Sequence, residues 1–530
     1  MATSTPLVED GAKGSDGRSL RWPAPAIAAV AAAGLVVAIA FLAGASEAVQ
    51  RPLWLDEIVT QLIAHAPRGL LHAMRAGVDF QPPPHYLLVR FSDALAGGAS
   101  PAAARFPSVV AALLTVLVVA AMLRTTFSLA ASLAGALALA AHPLFIAQAF
   151  EARPYALWIL ATALTAESLR EGRRARWLLM ATAASVLCAT HYFGVLSLAA
   201  LALGAALYFL TVRRATWTAA TRAVAPLAAG GVVLLLLLPL ARAQLAATHG
   251  RSWVTPATPG AVIDFLRFPW GWRPALMLVV AGALVTVLRR SRWIAARLPR
   301  GDSAPLGVTD VALLSTALVP VMVVLVSITY KPVLVLRYSA PAVLAVATLV
   351  AFAVERYPAL LRWAAVVLLV RAAHFSYHSA ALGARDVSAL AAGEASVVRQ
   401  LAAHGIRTVA PFRHDAYQHS QSGADVAWID VPDSLLERAA AARIPGMLRD
   451  ILLVERDFGR AAHAEFGFPT VVSTREVRAT AAVALVRDAT MAAADTIWLP
   501  GRVPCRLTPR VVVYAAAGAP LPCAALQSAH

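Results

Sequence analysis

The chain has 530 residues, 59% of them apolar and 14% charged, and carries a formal charge of +17. With a mean hydropathy of +0.67, it lies well above the roughly 45–50% apolar usage of soluble domains, which excludes a purely water-soluble globule. The excess charge is nearly all arginine in short connections between apolar runs, so it reads as a topology signal and excludes nucleic acid as the partner.

Residues 1–23 are mostly polar and form an N-terminal segment with Lys13, Arg18 and Arg21. An apolar run follows from Ala24 to about Ala45. Ala43-Gly44-Ala45 resembles a leader cleavage site, but the run exceeds the roughly 7–15 residues of a typical leader core, which predicts an uncleaved first span. A connection over 47–105 comes next. Further apolar stretches at 106–123, 128–149, 154–169, 177–194, 195–212, 223–245, 274–289, 308–329, 338–355 and 359–379 predict a polytopic α-helical membrane domain over 24–380 with about eleven spans.

Counting alternate connections, one side collects Lys13, Arg18, Arg21, Arg124, Arg170, Arg173, Arg174, Arg176, Arg213, Arg214, Arg222, Arg289, Arg290, Arg292, Arg297, Arg300, Arg356 and Arg362. That side is expected to be cytoplasmic, with the N-terminus on it. The segments 47–105, 246–273 and 330–337, and everything beyond 380, then face outward from a bacterial inner membrane. Residues 381–530 alternate helix-like stretches (387–404, 433–443) with β-rich runs at 407–411, 426–431, 451–454, 483–486 and 511–514, which predicts an extracytoplasmic α/β domain. Three cysteines are too few for a Cys-based zinc site, and the two in this tail, Cys505 and Cys523, are expected to pair.

Polar residues on the outward side gather beside span ends. Asp56 and Glu57 open an amphipathic stretch (Ile58, Leu62, Ile63, Leu70, Leu71) that reads as a helix on the membrane surface. A purely structural reading is that Asp56 caps this helix and Glu57 complements its dipole. Next come Asp79, Gln81, three prolines that predict an extended rigid segment, and His85 with Tyr86 at the membrane edge. Glu151, Arg153 and Tyr155 occupy the turn between two spans, where Glu151 and Arg153 also admit simple mutual pairing. His191 and Tyr192, and then Lys331, Arg337 and Tyr338, complete the set, although a lone interfacial His or Tyr is ordinarily an aromatic-belt residue. Together, a carboxylate suits deprotonation of a hydroxyl nucleophile, and Arg and Lys suit a phosphate.

The ordered motifs Trp54-Leu55-Asp56-Glu57, Asp79-x-Gln81-Pro82-Pro83-x-His85-Tyr86, Glu151-Ala152-Arg153-Pro154-Tyr155, His191-Tyr192-Phe193-Gly194 and Arg337-Tyr338 resemble the GT-C membrane glycosyltransferases, in particular the protein O-mannosyltransferases and aminoarabinose lipid A transferases. The resemblance covers roughly residues 25–380. It implies transfer of a sugar from a polyprenyl-phosphate donor to a hydroxyl of a glycan, lipid or protein acceptor, in contact with membrane lipids. It places Asp56, with Glu57 beside it, at the transfer centre, and Arg153 at the lipid phosphate; Lys331 and Arg337 are the further cations whose charge suits that phosphate. Asp79, Gln81, His85, Tyr86, Glu151, Tyr155, His191, Tyr192 and Tyr338 become substrate-binding candidates. Gln81 stands where many relatives have His, and Pro84 where an aliphatic residue is common. No compact metal-ligand spacing is evident, and neither metal nor cofactor is expected. A lipid or solute transporter and a non-catalytic membrane scaffold remain the alternatives, the first expected to place polar groups near mid-membrane.

Overall fold

A computed structural model describes residues 46–170, 176–247, 254, 256–290, 306–432, 434–436, 438, 456, 460, 463, 470–487 and 492–517. The expected first span, Lys13, Arg18, Arg21, Arg173, Arg174, Arg292, Arg297, Arg300, most of 433–443, the run 451–454 and Cys523 lie outside the described residues.

Every later expected span falls on helix: Pro101–Arg124, Leu129–Ala140 with Pro143–Ala149, Tyr155–Ser168, Arg176–Thr190, Gly194–Thr211, Ala228–Ala247, Arg273–Arg290, Val308–Ser315 with Leu318–Thr329, Ala342–Val354 and Ala359–Ala403. Among the described residues 5 helices are long and apolar enough to cross a bilayer, or 7 if each bent pair is one span, so the expected eleven are not reached there. The run at 128–149 is one such pair, bent by 63° where His142 and Pro143 interrupt it. The helix at 273–290 pairs with 259–270 across a 73° bend.

Small residues let these helices approach closely. A Cβ at Gly135 would lie 2.7 Å from the Ala347 carbonyl oxygen, so the helices Leu129–Ala140 and Ala342–Val354 need a glycine there. One end of the bundle is tied by carboxylates. Glu355 accepts from the Ser128 N–H at 2.8 Å and pairs with Arg362 at 3.0 Å, while Asp310 accepts from the Thr126 hydroxyl at 2.6 Å.

At the other end, residues 46–100 fold into helices Leu55–Ala64, Leu70–Arg75 and Pro84–Leu95. The three prolines do not form an extended strut. Pro83 has φ −64 and ψ −33, and Pro84 opens a helix, because a fixed φ suits the first helical position where no N–H is needed. His85 and Tyr86 thus sit in a first helical turn, both buried. Of the amphipathic stretch, Ile58 and Ile63 are buried by protein, whereas Leu71 is 54% exposed. Ile63 packs with Met74, Tyr86 and Val89, and Ile58 packs with Leu53 and Tyr417.

The expected helices at 359–379 and 387–404 are one helix, Ala359–Ala403, of 45 residues. At about 1.5 Å per residue it is roughly twice the thickness of a bilayer core, so its second half stands clear and leads into a sheet. The expected boundary at 380 falls inside it. The sheet has six strands in the order β3-β2-β1-β4-β6-β5: β1 Arg407–Ala410, β2 Val426–Asp430, β3 Val471–Ser473, β4 Ala482–Val486, β5 Val503–Arg506 and β6 Val511–Ala515. β1 pairs in parallel with β2 and β4, and β2 with β3, whereas β6 runs antiparallel to β4 and β5. One face buries Val409, Leu485 and Val512; the other buries Trp428, Val486 and Val513 beneath Val398 and Leu401 of the long helix. Cys505 on β5 is disulfide-bonded, and Cys188 is free and buried.

Candidate active site

The residues singled out in the sequence converge at the end of the bundle that carries the C-terminal sheet. Helix Leu55–Ala64 presents two adjacent carboxylates in opposite environments, since neighbouring positions on a helix point about 100° apart.

Glu57 is fully buried. Its oxygens accept from Arg105 Nε at 2.7 Å, from Arg105 Nη2 at 2.5 Å, from the Ala152 N–H at 2.8 Å and from the Trp54 N–H at 3.2 Å. Arg105 is also fully buried, and it donates in addition to the carbonyls of Val49 at 2.8 Å, Arg51 at 2.6 Å and Pro52 at 3.1 Å. This lock fastens the chain before Asp56 and the turn before Arg153 to helix Pro101–Arg124. Arg105 was not foreseen as a site residue, although an arginine buried in an otherwise apolar helix is the signal that points to it.

Asp56 keeps one side open. Its Oδ2 lies 2.7 Å from Arg337 Nη2, with the side chains 24% and 14% exposed. The Arg337 guanidinium also lies over the rings of Trp54 at 5.4 Å and Tyr155 at 5.6 Å. Beside it, Arg153 is buried and grips Asp79 with both Nη atoms, at 2.5 and 3.1 Å, while Nη1 also reaches the Thr60 hydroxyl at 3.0 Å and the Asp56 carbonyl at 3.2 Å. Tyr86 donates to the same Asp79 carboxylate at 2.7 Å. Burial alone would raise the Asp79 carboxyl, but the Arg153 guanidinium holds it below its ordinary range. Burial pushes His85 down to about 4. Partial burial and the nearby Glu57 push Glu151 up to about 7, with Arg337 and Arg51 acting against the shift. Glu151 and Arg153 therefore do not simply pair with each other.

An aromatic group closes this side. His191 stacks on Trp158 at 4.5 Å between centroids with the planes 5° apart, and its ring meets Tyr155 at 5.3 Å and Tyr338 at 6.0 Å. Tyr192 turns the other way and donates to Gln244 at 2.8 Å. Gln244 in turn donates to the Gln81 carbonyl at 3.2 Å, and Phe80 meets the Tyr192 ring at 4.8 Å. Lys331 is half-buried just past helix Leu318–Thr329, its N–H on the Val326 carbonyl at 3.3 Å. Among the described residues, no group of three or more His, Cys, Asp or Glu is arranged to hold a metal ion.

Residues 80–241, under a third of the chain, match the family described as Dolichyl-phosphate-mannose-protein mannosyltransferase. No curated protein matches significantly by sequence. Among solved structures, ArnT from Cupriavidus metallidurans is similar in two states. The form bound to undecaprenyl phosphate is 16% identical with a TM-score of 0.53, covering 92% of this chain and 99% of ArnT. The apo form is 15% identical with a TM-score of 0.58, covering 92% and 98%. Arabinofuranosyltransferase AftD from Mycobacteria is 14% identical with a TM-score of 0.44, and the match covers 92% of this chain and 40% of AftD. The chain thus has the ArnT-like GT-C fold that its motifs led one to expect, with a small C-terminal sheet.

Proposed function

We propose that the protein is a glycosyltransferase that moves a sugar from a polyprenyl-phosphate donor to an acceptor hydroxyl at the outer face of the bacterial inner membrane. The observation that carries the reading is the partly exposed Asp56–Arg337 pair, a carboxylate and a guanidinium 2.7 Å apart. The match of residues 80–241 to a mannosyltransferase family and the ArnT-like fold support it. The undecaprenyl phosphate held by ArnT supports a polyprenyl-linked donor.

In this reading Asp56 takes the proton of the acceptor hydroxyl as its oxygen forms the new bond to C1 of the sugar. The bond from C1 to the phosphate oxygen breaks, and its electron pair leaves on the polyprenyl phosphate. Arg337 exchanges its carboxylate partner for the departing phosphate, and its charge offsets the one that develops there. Arg153, held by Asp79 and Tyr86, contributes positive potential and anchors the Asp56 backbone. Lys331 guides the phosphate from the rim. Glu57 holds Asp56 in place through Arg105. Tyr155, His191 and Tyr338 wall the sugar, with Gln81, His85, Glu151 and Tyr192 behind them. Residues 24 to about 380 form the transferase domain and the rest of the chain an extracytoplasmic domain, the long helix Ala359–Ala403 running through both, with the N-terminus cytoplasmic.

The test is purified full-length protein incubated with a panel of polyprenyl-phosphate sugars, following release of polyprenyl phosphate. Release by the wild-type protein that Asp56→Asn abolishes is the expected result. No release from any donor, or equal release by both proteins, overturns the reading.

A further inference from the structure

The C-terminal domain has no part in the chemistry above, yet it touches the helix that carries Asp56. The contact is made by one short helix, Arg413–Gln421, which lies between β1 and β2 in sequence. Its Tyr417 is 8% exposed and joins Leu53, Ile58 and Leu62 in a separate apolar cluster. Ile58 lies two residues beyond Asp56, and Leu53 three residues before it. The opposite side of the same short helix is pinned by charge. Asp415 accepts from Arg510 at 2.5 Å. His419 lies 3.2 Å from Glu394, which Arg510 also approaches at 3.5 Å. Asp415 and His419 are 1% and 0% exposed, so this side is closed. Glu394 belongs to the long helix Ala359–Ala403, and Arg510 immediately precedes β6.

A continuous solid path therefore runs from the bundle, up the long helix, through the Glu394–His419 and Arg510–Asp415 contacts, and back down through Tyr417 onto the Asp56 helix. The far end of the Asp56 helix is held separately, by His65 Nε2 on Asp93 at 2.7 Å. Between these points the helix is also tied by Glu57 to Arg105 and by Arg153 to Thr60, and among the described residues of that apolar cluster Tyr417 is the one member contributed by the C-terminal domain. The seam beside the ring is not completely filled: a cleft of about 210 Å³ remains, lined by Gln50, Pro52, Leu53, Pro101, Tyr417, Gln418 and Ser422. Beside such a cleft, truncating the large side chain removes contacts that its neighbours are poorly placed to replace.

We propose that Tyr417 is a positioning residue of the transfer site, and that the C-terminal domain serves as a brace which sets Asp56 against Arg337 by pressing Tyr417 onto Leu53, Ile58 and Leu62. The kinetic part of this proposal rests on the glycosyltransferase reading; the mechanical part does not.

Two measurements on the full-length protein in detergent separate them. Hydrogen exchange is followed in residues 55–64, in β1, β4 and β6, and in helix Pro101–Arg124. Tyr417→Ala is expected to raise exchange at least about tenfold in 55–64 while the sheet and helix Pro101–Arg124 stay protected, and Tyr417→Phe, which keeps the ring, is expected to match the wild type. Unchanged exchange at 55–64 in Tyr417→Ala with an intact sheet overturns the brace. Should the sheet itself lose protection, Ile58→Ala is used, which trims the same contact from the other side. With a donor that the wild type turns over, Tyr417→Ala is expected to lower kcat by about 10- to 100-fold with donor KM unchanged. A rise in donor KM with kcat unchanged overturns the positioning role. If no donor is turned over by the wild type, the glycosyltransferase reading fails, and the exchange result alone still decides whether the brace exists.

Discussion

Ion pairs occur in both halves of the molecule, and they are built differently. In the C-terminal domain Arg487 pairs with Asp495, whose carboxylate also accepts from the Tyr514 hydroxyl, and the two charged side chains are only 2% and 1% exposed. At the candidate site Asp56 and Arg337 are 24% and 14% exposed. A pair shut away from water is costly to break and has no face to offer a substrate. A half-open pair can trade partners with an incoming phosphate and hydroxyl. The Glu57–Arg105 pair, at 0% and 0%, sits within the site but is built like those of the tail. Position in the sequence therefore says less about the role of a carboxylate than the number of its oxygens' partners does.

The largest effect expected from this contrast is on chemistry. Asp56→Asn keeps the shape and most contacts of the side chain while removing the base, so transfer is expected to fall by about 10²–10⁴-fold with the thermal unfolding midpoint nearly unchanged. Glu57→Gln, assayed alongside by polyprenyl-phosphate release, is expected to retain far more turnover. If the two variants lose turnover equally, the distinction between the open and closed carboxylates does not hold.

The next effect is on stability. Arg105→Met leaves Glu57 charged and buried without its partner and removes the tethers to backbone carbonyls, which is expected to cost about 3–5 kcal/mol, read as a lower denaturation midpoint in detergent. The double variant Arg105→Met, Glu57→Gln is expected to recover part of that loss, because a neutral amide is cheaper to leave buried. No recovery in the double variant means that the carbonyl tethers, not the charge pair, hold this region.

Much of this arrangement was readable from residues alone. Apolar runs located the helices after the first, and the ordered motifs named Asp56, Arg153, Tyr155, His191 and Arg337, which the fold brings together. What could not be read was which groups pair with which. Asp79 with Arg153, and Asp56 with Arg337, join positions 74 and 281 residues apart, and no local pattern encodes such a meeting. Arg105 was missed because it lies one residue before the expected span at 106–123. The prolines misled for a local reason: their stiffness suits an extended segment and a helix start equally well. β3 and β5 went unseen because one is three residues long and the other is an edge strand with Pro504 and little burial.

A smaller effect concerns the tail. Cys505 is disulfide-bonded and buried among Ala484, Val486 and Val513, so Cys505→Ser is expected to destabilise the sheet by about 2–4 kcal/mol, seen as faster exchange in β4 and β6. A digest of the unreduced protein is expected to give one peptide pair joining Cys505 to Cys523. Two free thiols in that digest would remove the bridge from the account.

The smallest effect tests whether the open pair is tuned by a neighbour. Burial, reinforced by Glu57, raises the Glu151 carboxyl from its ordinary 4.5 to about 7, with Arg337 pulling the other way. The folded protein thus holds the Glu151 proton more tightly than the unfolded chain does. By linkage, the stability associated with the neutral group is present at low pH and is lost as pH rises through the window from about 4.5 to about 7. The unfolding midpoint is expected to decline across that window, and Glu151→Gln, which stays neutral, is expected to flatten this contribution. The same ionisation places a negative charge near Arg337, so under the proposed function binding of a polyprenyl phosphate is expected to weaken on passing above pH 7, by no more than about tenfold, the equivalent of one unit of coupling. A profile in Glu151→Gln as steep as that of the wild type would show that another group sets the pH response, and the open pair would then be independent of this neighbour.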